Sequence, residues 1–283
     1  MIKPGSAASL ARFLAGSCVV LSCFAVPLLA AGPGDNPRYL VPERRFVAPE
    51  ARQGVASSGE AIYAIDNSNI GKYAPDGARI AAFAGDPEAF PHLNSCTLAE
   101  RELVCAASNY PATPHRGTIE FFDPETLAHL RSVALPDNPG SLTALTRRDG
   151  RWWAVFAHYD GKGGVPGRDH RATMLAELNA QFRAVRRFAF PQSVLDRISP
   201  RSVSGAAWGA DGRLYVSGHD KPEVYAMTVP PEGDVLRHEE TYAVASFGQA
   251  IDFDPHDPAL LWSIDRDSRS VIASRIPASG VQR

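Results

Sequence analysis

From position 53 onward the apolar residues fall in short runs that never settle into a 3.6-residue period. Ala61 to Ile65, Thr118 to Phe122, Thr173 to Leu178, Glu223 to Met227 and Ser270 to Ile276 are each five to seven residues of mostly apolar chain, the length of a strand. Asp76-Gly77, Asp149-Gly150 and Asp211-Gly212 are the dipeptides that close tight hairpins, because both residues tolerate positive φ. The pattern repeats. Units begin at Gln53, Asn94, Ser141, Ser204 and Gln249, spaced 41, 47, 63 and 45 residues apart, with the extra length in the third. The first holds four strand-length pieces joined by three tight connections. This spacing predicts an all-β ring of five four-stranded blades, a β-propeller. A six-bladed ring with one weak blade and an unclosed stack of sheets are the alternatives. The fifth unit runs out of chain after its third strand. Arg38 to Val47, a spare β-rich segment, is expected to pair with Ser270 to Ile276 and close the ring, which protects the sheet edges.

The first residues follow another pattern. Lys3 and Arg12 precede an uncharged stretch from Phe13 to Gly34 that ends in Ala30-Ala31-Gly32. A basic start, an apolar middle and a small-residue end read as a signal peptide over residues 1–31, cut between Ala30 and Gly34. Residues 32–283 are then one propeller domain, periplasmic or secreted, with no membrane attachment after cleavage. A retained anchor and lipid attachment at Cys23 are the alternatives. Of four cysteines, Cys96 and Cys105 stay with the mature chain. A two-residue turn at Glu100-Arg101 pairs residues whose numbers sum to 201, which sets these two side by side. In an oxidising compartment they are expected to form a disulfide.

Composition narrows the partners. The chain of 283 residues has 29 basic and 31 acidic side chains, and only four of the basic ones are lysine. Without a basic excess or basic runs it is not a nucleic-acid binder. A small-molecule substrate is the expected partner, and the oligomeric state is left open. No His-Glu-x-x-His, Gly-x-Ser-x-Gly or Cys-x-x-Cys occurs in the mature chain.

The blade wording resembles a known group. Ile62 to Gly77 is similar to the blade repeats of lactonase-like and regucalcin-like propellers. With Ser108-Asn109-Tyr110-Pro111, His158-Tyr159-Asp160-Gly161 and Gly167-Arg168-Asp169-His170, the mature chain resembles bacterial secreted propellers of the lactonase or cycloisomerase type. The resemblance implies the fold and a hydrolase or an isomerase/lyase reaction. No lactonase metal-ligand set matches, so it carries over no functional residue.

Blade geometry selects candidate residues. The start of a blade's first strand and the end of its antiparallel second strand meet at one end of the channel. That places Gln53, Asn94, Ser141, Ser204 and Gln249 together with Asp66, Asn109, His158, His219 and Asp265 around one mouth. Ser141 is expected opposite His158, and Ser204 opposite His219. His158 and His219 are the catalytic candidates, as acid and base. Gln53, Asp66, Asn94, Asn109, Asp160, Asp220, Gln249, Asp265 and Arg266 are the substrate-binding candidates, with a divalent cation such as calcium as a possible cofactor. Arg52, Arg168 and Arg266 are suited to a substrate carboxylate. The long connection from His158 to Ala172 should cover this mouth as a binding loop. The leading expectation is an enzyme acting on a small polar or anionic substrate. The rival is a non-catalytic propeller that binds a sugar, a peptide or a partner protein.

Overall fold

The computed structural model describes residues 1–2 and 37–277. The leader predicted over residues 1–31 lies outside these, apart from its first two. Five sheets follow one another along the chain. The first blade is β3 (Gly54–Ser57), β4 (Ile62–Ile65), β5 (Asn69–Tyr73) and β6 (Arg79–Ala84), after two N-terminal strands, β1 (Arg38–Tyr39) and β2 (Pro42–Val47). The second is β7 (Leu93–Ala99), β8 (Glu102–Ser108), β9 (Gly117–Phe122) and β10 (His129–Ala134). The third is β11 (Ser141–Arg148), β12 (Arg151–Ala157), β13 (Met174–Leu178) and β14 (Ala184–Ala189). After helix α1 (Gln192–Ile198) come β15 (Gly205–Trp208), β16 (Leu214–Ser217), β17 (Glu223–Thr228) and β18 (Arg237–Ala243). The fifth blade is β19 (Asp252–Phe253), β20 (Leu260–Asp265) and β21 (Ser270–Arg275), completed by β2.

Five apolar clusters account for the closure, each joining two adjacent blades. Val55, Ile62 and Tyr73 of the first blade pack on Trp262, Ile264 and Val271 of the fifth, so the last gap is filled like the others. The second and third strands of each blade are sandwiched between neighbouring sheets. β4 is therefore buried at all four positions, while the outer strand β6 alternates between half-buried and exposed. This explains why the inner strands read as continuous apolar runs rather than as strict alternation.

The closing segment differs from its prediction in one respect. Pro42 to Val47 pair antiparallel with Ser270 to Ser274 as expected. Arg38 and Tyr39 instead add to the fourth blade, parallel to β18. Leu40 is the reason: it is 1% exposed and wedged among Tyr242, Val244 and Ile276 between the fourth and fifth blades. The chain crosses that gap at Leu40, and Pro42, which has no N–H to donate, opens β2.

Two turns differ in an instructive way. Asp149 and Gly150 both have positive φ, 51° and 75°, and Arg148 pairs with Arg151 across the expected two-residue hairpin. At Asp211-Gly212 the connection is longer, with Gly209 N donating to Arg213 O, so Gly205 pairs with Ser217. The register predicted for Ser204 and His219 is therefore off by one.

Cys96 and Cys105 are directly opposed on β7 and β8 and joined by a disulfide. Closing so short a loop is expected to stabilise the fold by about 2 to 3 kcal/mol on the chain-entropy account. The double variant Cys96→Ala/Cys105→Ala should lower the denaturation midpoint accordingly. Alkylation of the unreduced protein followed by mass measurement should label neither cysteine, and two labelled cysteines would refute the bond.

Candidate functional site

One end of the channel opens into a cavity of about 470 Å³. Of the residues singled out from sequence, Gln53, Asn94, Ser204, His219, Gln249, Arg52 and Arg266 line it. Tyr110 comes from the loop after β8, and Tyr159 and Lys162 from the loop after β12. Asn67, His92, Thr143 and Arg201 line it too and were not foreseen. His92 sits in the connection between the first and second blades. Arg201 follows α1 in the insertion of the third unit. Neither position has a repeat or a motif to mark it.

The charges of this lining are one-sided. Among the described residues, Arg52, Lys162, Arg201 and Arg266 face the cavity, and no carboxylate does. The acids expected here are absent from the wall and paired with other side chains, two of them with the wall's own Arg52 and His219. Asp66 lies 3.8 Å from Arg52 and 3.4 Å from Arg269. Asp265 is held by Arg45 and Ser268. Asp220 holds the ring of His219. Such a lining attracts an anion and repels a divalent cation.

His219 is oriented from both sides. Arg266 Nη1 donates to His219 Nε2 at 2.9 Å. A guanidinium has no acceptor, so Nε2 must carry the lone pair and Nδ1 the proton, which it donates to Asp220. Burial pushes the His219 pKa down; Asp220 opposes this, and Arg266 and Arg201 add to it. Burial, with Arg52 adding to it, likewise pushes His92 down to about 4. Both imidazoles are thus neutral at pH 7. The His92 ring packs on Tyr110, with centroids 5.1 Å apart.

His158 does not join them. A bulge in β11 between Leu142 and Ala144 places Ser141 opposite Ala157 rather than His158. The extra residue re-faces the start of β11, so Thr143 and not Ser141 reaches the cavity wall. His158 is 1% exposed and absent from the cavity wall. The ring lies beside the Pro139 backbone and packs 5.8 Å from that of His115. Gly140 admits it. A Cβ there would meet Ala157 O at 2.8 Å and His158 Nε2 at 3.1 Å. Of the two histidines expected at the mouth only His219 lines the cavity, and the second imidazole of its wall belongs to His92.

Several polar candidates serve the scaffold. Asn94 Nδ2 donates to Leu142 O at 2.8 Å, tying the second blade to the third. Gln53 Nε2 donates to Asn67 Oδ1 at 2.7 Å. Asn109 braces its own loop, donating to Pro114 O and accepting from Arg116 N. The 158–172 loop contributes Tyr159 and Lys162 to the cavity and folds the rest around a hollow of its own. Arg168 lies there and donates to Pro139 O at 3.3 Å, away from the mouth. Asp160, Asp169 and His170 form the one group among the described residues able to gather around a cation. Asp160 accepts from His170, and Arg171 grips both oxygens of Asp169, holding its pKa down at about 2. Both carboxylates are thus already engaged within the loop, Asp160 by hydrogen bonds from His170 and Asp169 by the Arg171 guanidinium.

Gln249 stands apart. Its φ of 70° is in the left-handed region, a strain of about 1 to 3 kcal/mol for a residue other than glycine. It follows Gly248, whose φ is also positive and where a Cβ would collide with Gly218 O.

No family model matches the chain, and no curated protein matches it. Solved structures do resemble it. A glucose dehydrogenase is 11% identical, covers 85% of this chain and 99% of its own, and has a TM-score of 0.48. A luciferin-regenerating enzyme is 12% identical over 86% and 93%, at 0.45. Virginiamycin B lyase from Staphylococcus aureus is 13% identical over 84% and 75%, at 0.44. All three are β-propeller proteins, as is this chain.

Proposed function

We propose that the cavity binds a small anionic substrate and transfers a proton on it, with His219 as the base. The observation that carries this reading is the lining: four cationic side chains and two neutral imidazoles, with no carboxylate among them. Arg201 and Arg266 would clamp the anion. When the substrate draws Arg266 to itself, Nε2 of His219 is uncovered. In ring opening of a lactone, that nitrogen takes a proton from water as the water oxygen adds to the acyl carbon. It then returns the proton to the departing ring oxygen. Asp220 keeps the ring in the tautomer this needs and steadies the imidazolium. The lactonase-like blade wording supports this class, and a cycloisomerase or lyase reaction would use the same base on a C–H. The disulfide and the leader composition support a periplasmic or secreted location.

The same lining would serve a non-catalytic binder. The neutral imidazole held between Asp220 and Arg266 favours catalysis, because binding an anion alone would be better served by a protonated ring. Both readings require the anion. Arg201→Ala and Arg266→Ala are each expected to weaken binding of a small carboxylate about tenfold or more, the worth of a charge-assisted hydrogen bond. Calorimetric titration at low and high salt measures this, and unchanged affinity in both variants would end the anion reading.

A further inference from the structure

We propose that the substrate carries, besides its anionic group, an uncharged carbonyl oxygen, and that the side-chain amide of Gln249 is the donor that receives it. This rests on the anion-site reading above and adds a second point of recognition to it.

Three observations converge. First, Gln249 is 2% exposed, lines the cavity, and its Nε2 is buried without a hydrogen-bond partner among the described residues. Buried amides are nearly always bonded, so each exception asks for a reason. Second, two further amides of the cavity wall already donate within the protein. Gln53 is bonded to Asn67, and Asn94 to Leu142 O and Ser108 Oγ. Among the described residues, Gln249 Nε2 is the amide nitrogen of the wall that is both fully buried and without a partner. Third, its backbone is fixed. Gln249 N donates to Gly218 O at 3.0 Å, and its own carbonyl accepts from Ser217 Oγ. Ala250 N donates to Gln53 O at 3.0 Å. These bonds pin Gln249 between the segment that carries His219 and the start of the first blade. A strained residue persists only where its surroundings over-determine it, and such residues gather at functional sites.

The chemistry follows from the group. An amide N–H donates without charge, which suits a carbonyl oxygen and the oxyanion that forms from it. The cationic residues would hold the carboxylate, Gln249 the acyl oxygen, and His219 would face the bond between them. A site built to donate to an oxygen discriminates against an analogue that lacks it.

The test uses two non-hydrolysable anions that differ only in the carbonyl: 3-oxocyclopentane-1-carboxylate and cyclopentanecarboxylate. Calorimetric titration of the full mature protein is expected to show the oxo acid binding about tenfold more tightly. Gln249→Leu should erase that preference while leaving the affinity for cyclopentanecarboxylate within about twofold. Gln249→Gly, which suits the positive φ, should do the same if the leucine variant does not fold. Equal affinities in the native protein, or a preference that survives both substitutions, would overturn the role of Gln249 and leave the anion site standing. If neither acid binds the native protein, the anion site falls and this inference falls with it.

Discussion

Replacing His219 with alanine is expected to lower kcat/KM by about 10²- to 10⁴-fold, the contribution of a positioned acid–base group, with little change in thermal midpoint. The ring is part-exposed at the channel mouth, so its loss leaves no sealed void. The pH profile carries more information. The base acts in its neutral form, and burial sets its pKa below 6.5. kcat/KM should therefore rise with pH through a pKa below that value and run flat above it. Arg266 helps to lower the pKa and Asp220 helps to raise it. Arg266→Gln should move the acidic limb to higher pH, and Asp220→Asn should move it to lower pH while reducing the plateau. A panel of lactones, with and without a carboxylate, supplies the substrate for these measurements. Full activity in the alanine variant would remove His219 from the chemistry. Limbs that stay fixed in both partner variants would show that another group sets the profile.

Asp252→Asn is expected to destabilise the protein at pH 4 by about 1 kcal/mol, because an amide can accept only one of the two backbone N–H bonds, and to stabilise it above neutral pH. Asp252 lies on β19, among the inner strands that border the channel, and accepts from Ser57 N at 3.1 Å and from Phe253 N at 3.0 Å. Burial, augmented by nearby Asp254, pushes its carboxyl up to about 7, against the pull of those two donors. The sign follows. An acid whose pKa is raised on folding favours the folded state while protonated, and that advantage is lost as pH climbs from about 4 through about 7. A shift of that size corresponds to about 4 kcal/mol. The side chain is only half-buried and the variant forfeits one of the two bonds, so a net gain of about 1 kcal/mol at pH 8 is expected from it. Urea denaturation between pH 4 and pH 8 measures it. Parallel stability curves for the two proteins would show that Asp252 ionises as freely folded as unfolded.

The blade count was readable because its signals are local. Turn dipeptides, strand-length apolar runs and the sum that pairs Cys96 with Cys105 depend only on neighbours in the chain. The sides of the channel were harder to read, because facing residues depend on register summed over a whole strand. One bulge beside Leu142 sufficed to put Thr143 on the cavity wall in place of Ser141 and to break the pairing of Ser141 with His158. His219 survived a similar one-residue error because it lies beyond the strand end, where alternation no longer decides its direction. His92 and Arg201 reach the cavity from connections between blades, where position is set by the packing of the ring. Helix α1 escaped for a related reason. Its three buried residues, Val194, Leu195 and Ile198, fill barely one turn of apolar face, too little to register as a period.

The arrangement of β1 and β2 bears on how the molecule is made. Glu43 grips Arg275 across 232 positions of sequence, and the fifth blade has no outer strand until its last strand meets one of the first. During synthesis the four earlier blades can form in order, each on its predecessor. The ring itself stays open until residue 275 has emerged, and the longest loop in the protein must be closed in the final step. Contacts so distant form late and slowly. Until then, the apolar faces around Trp262 and Tyr73 lie exposed on the two unjoined ends. The nascent chain is thus most prone to self-association in its last moments of assembly, and a chaperone that shields those two ends would act there.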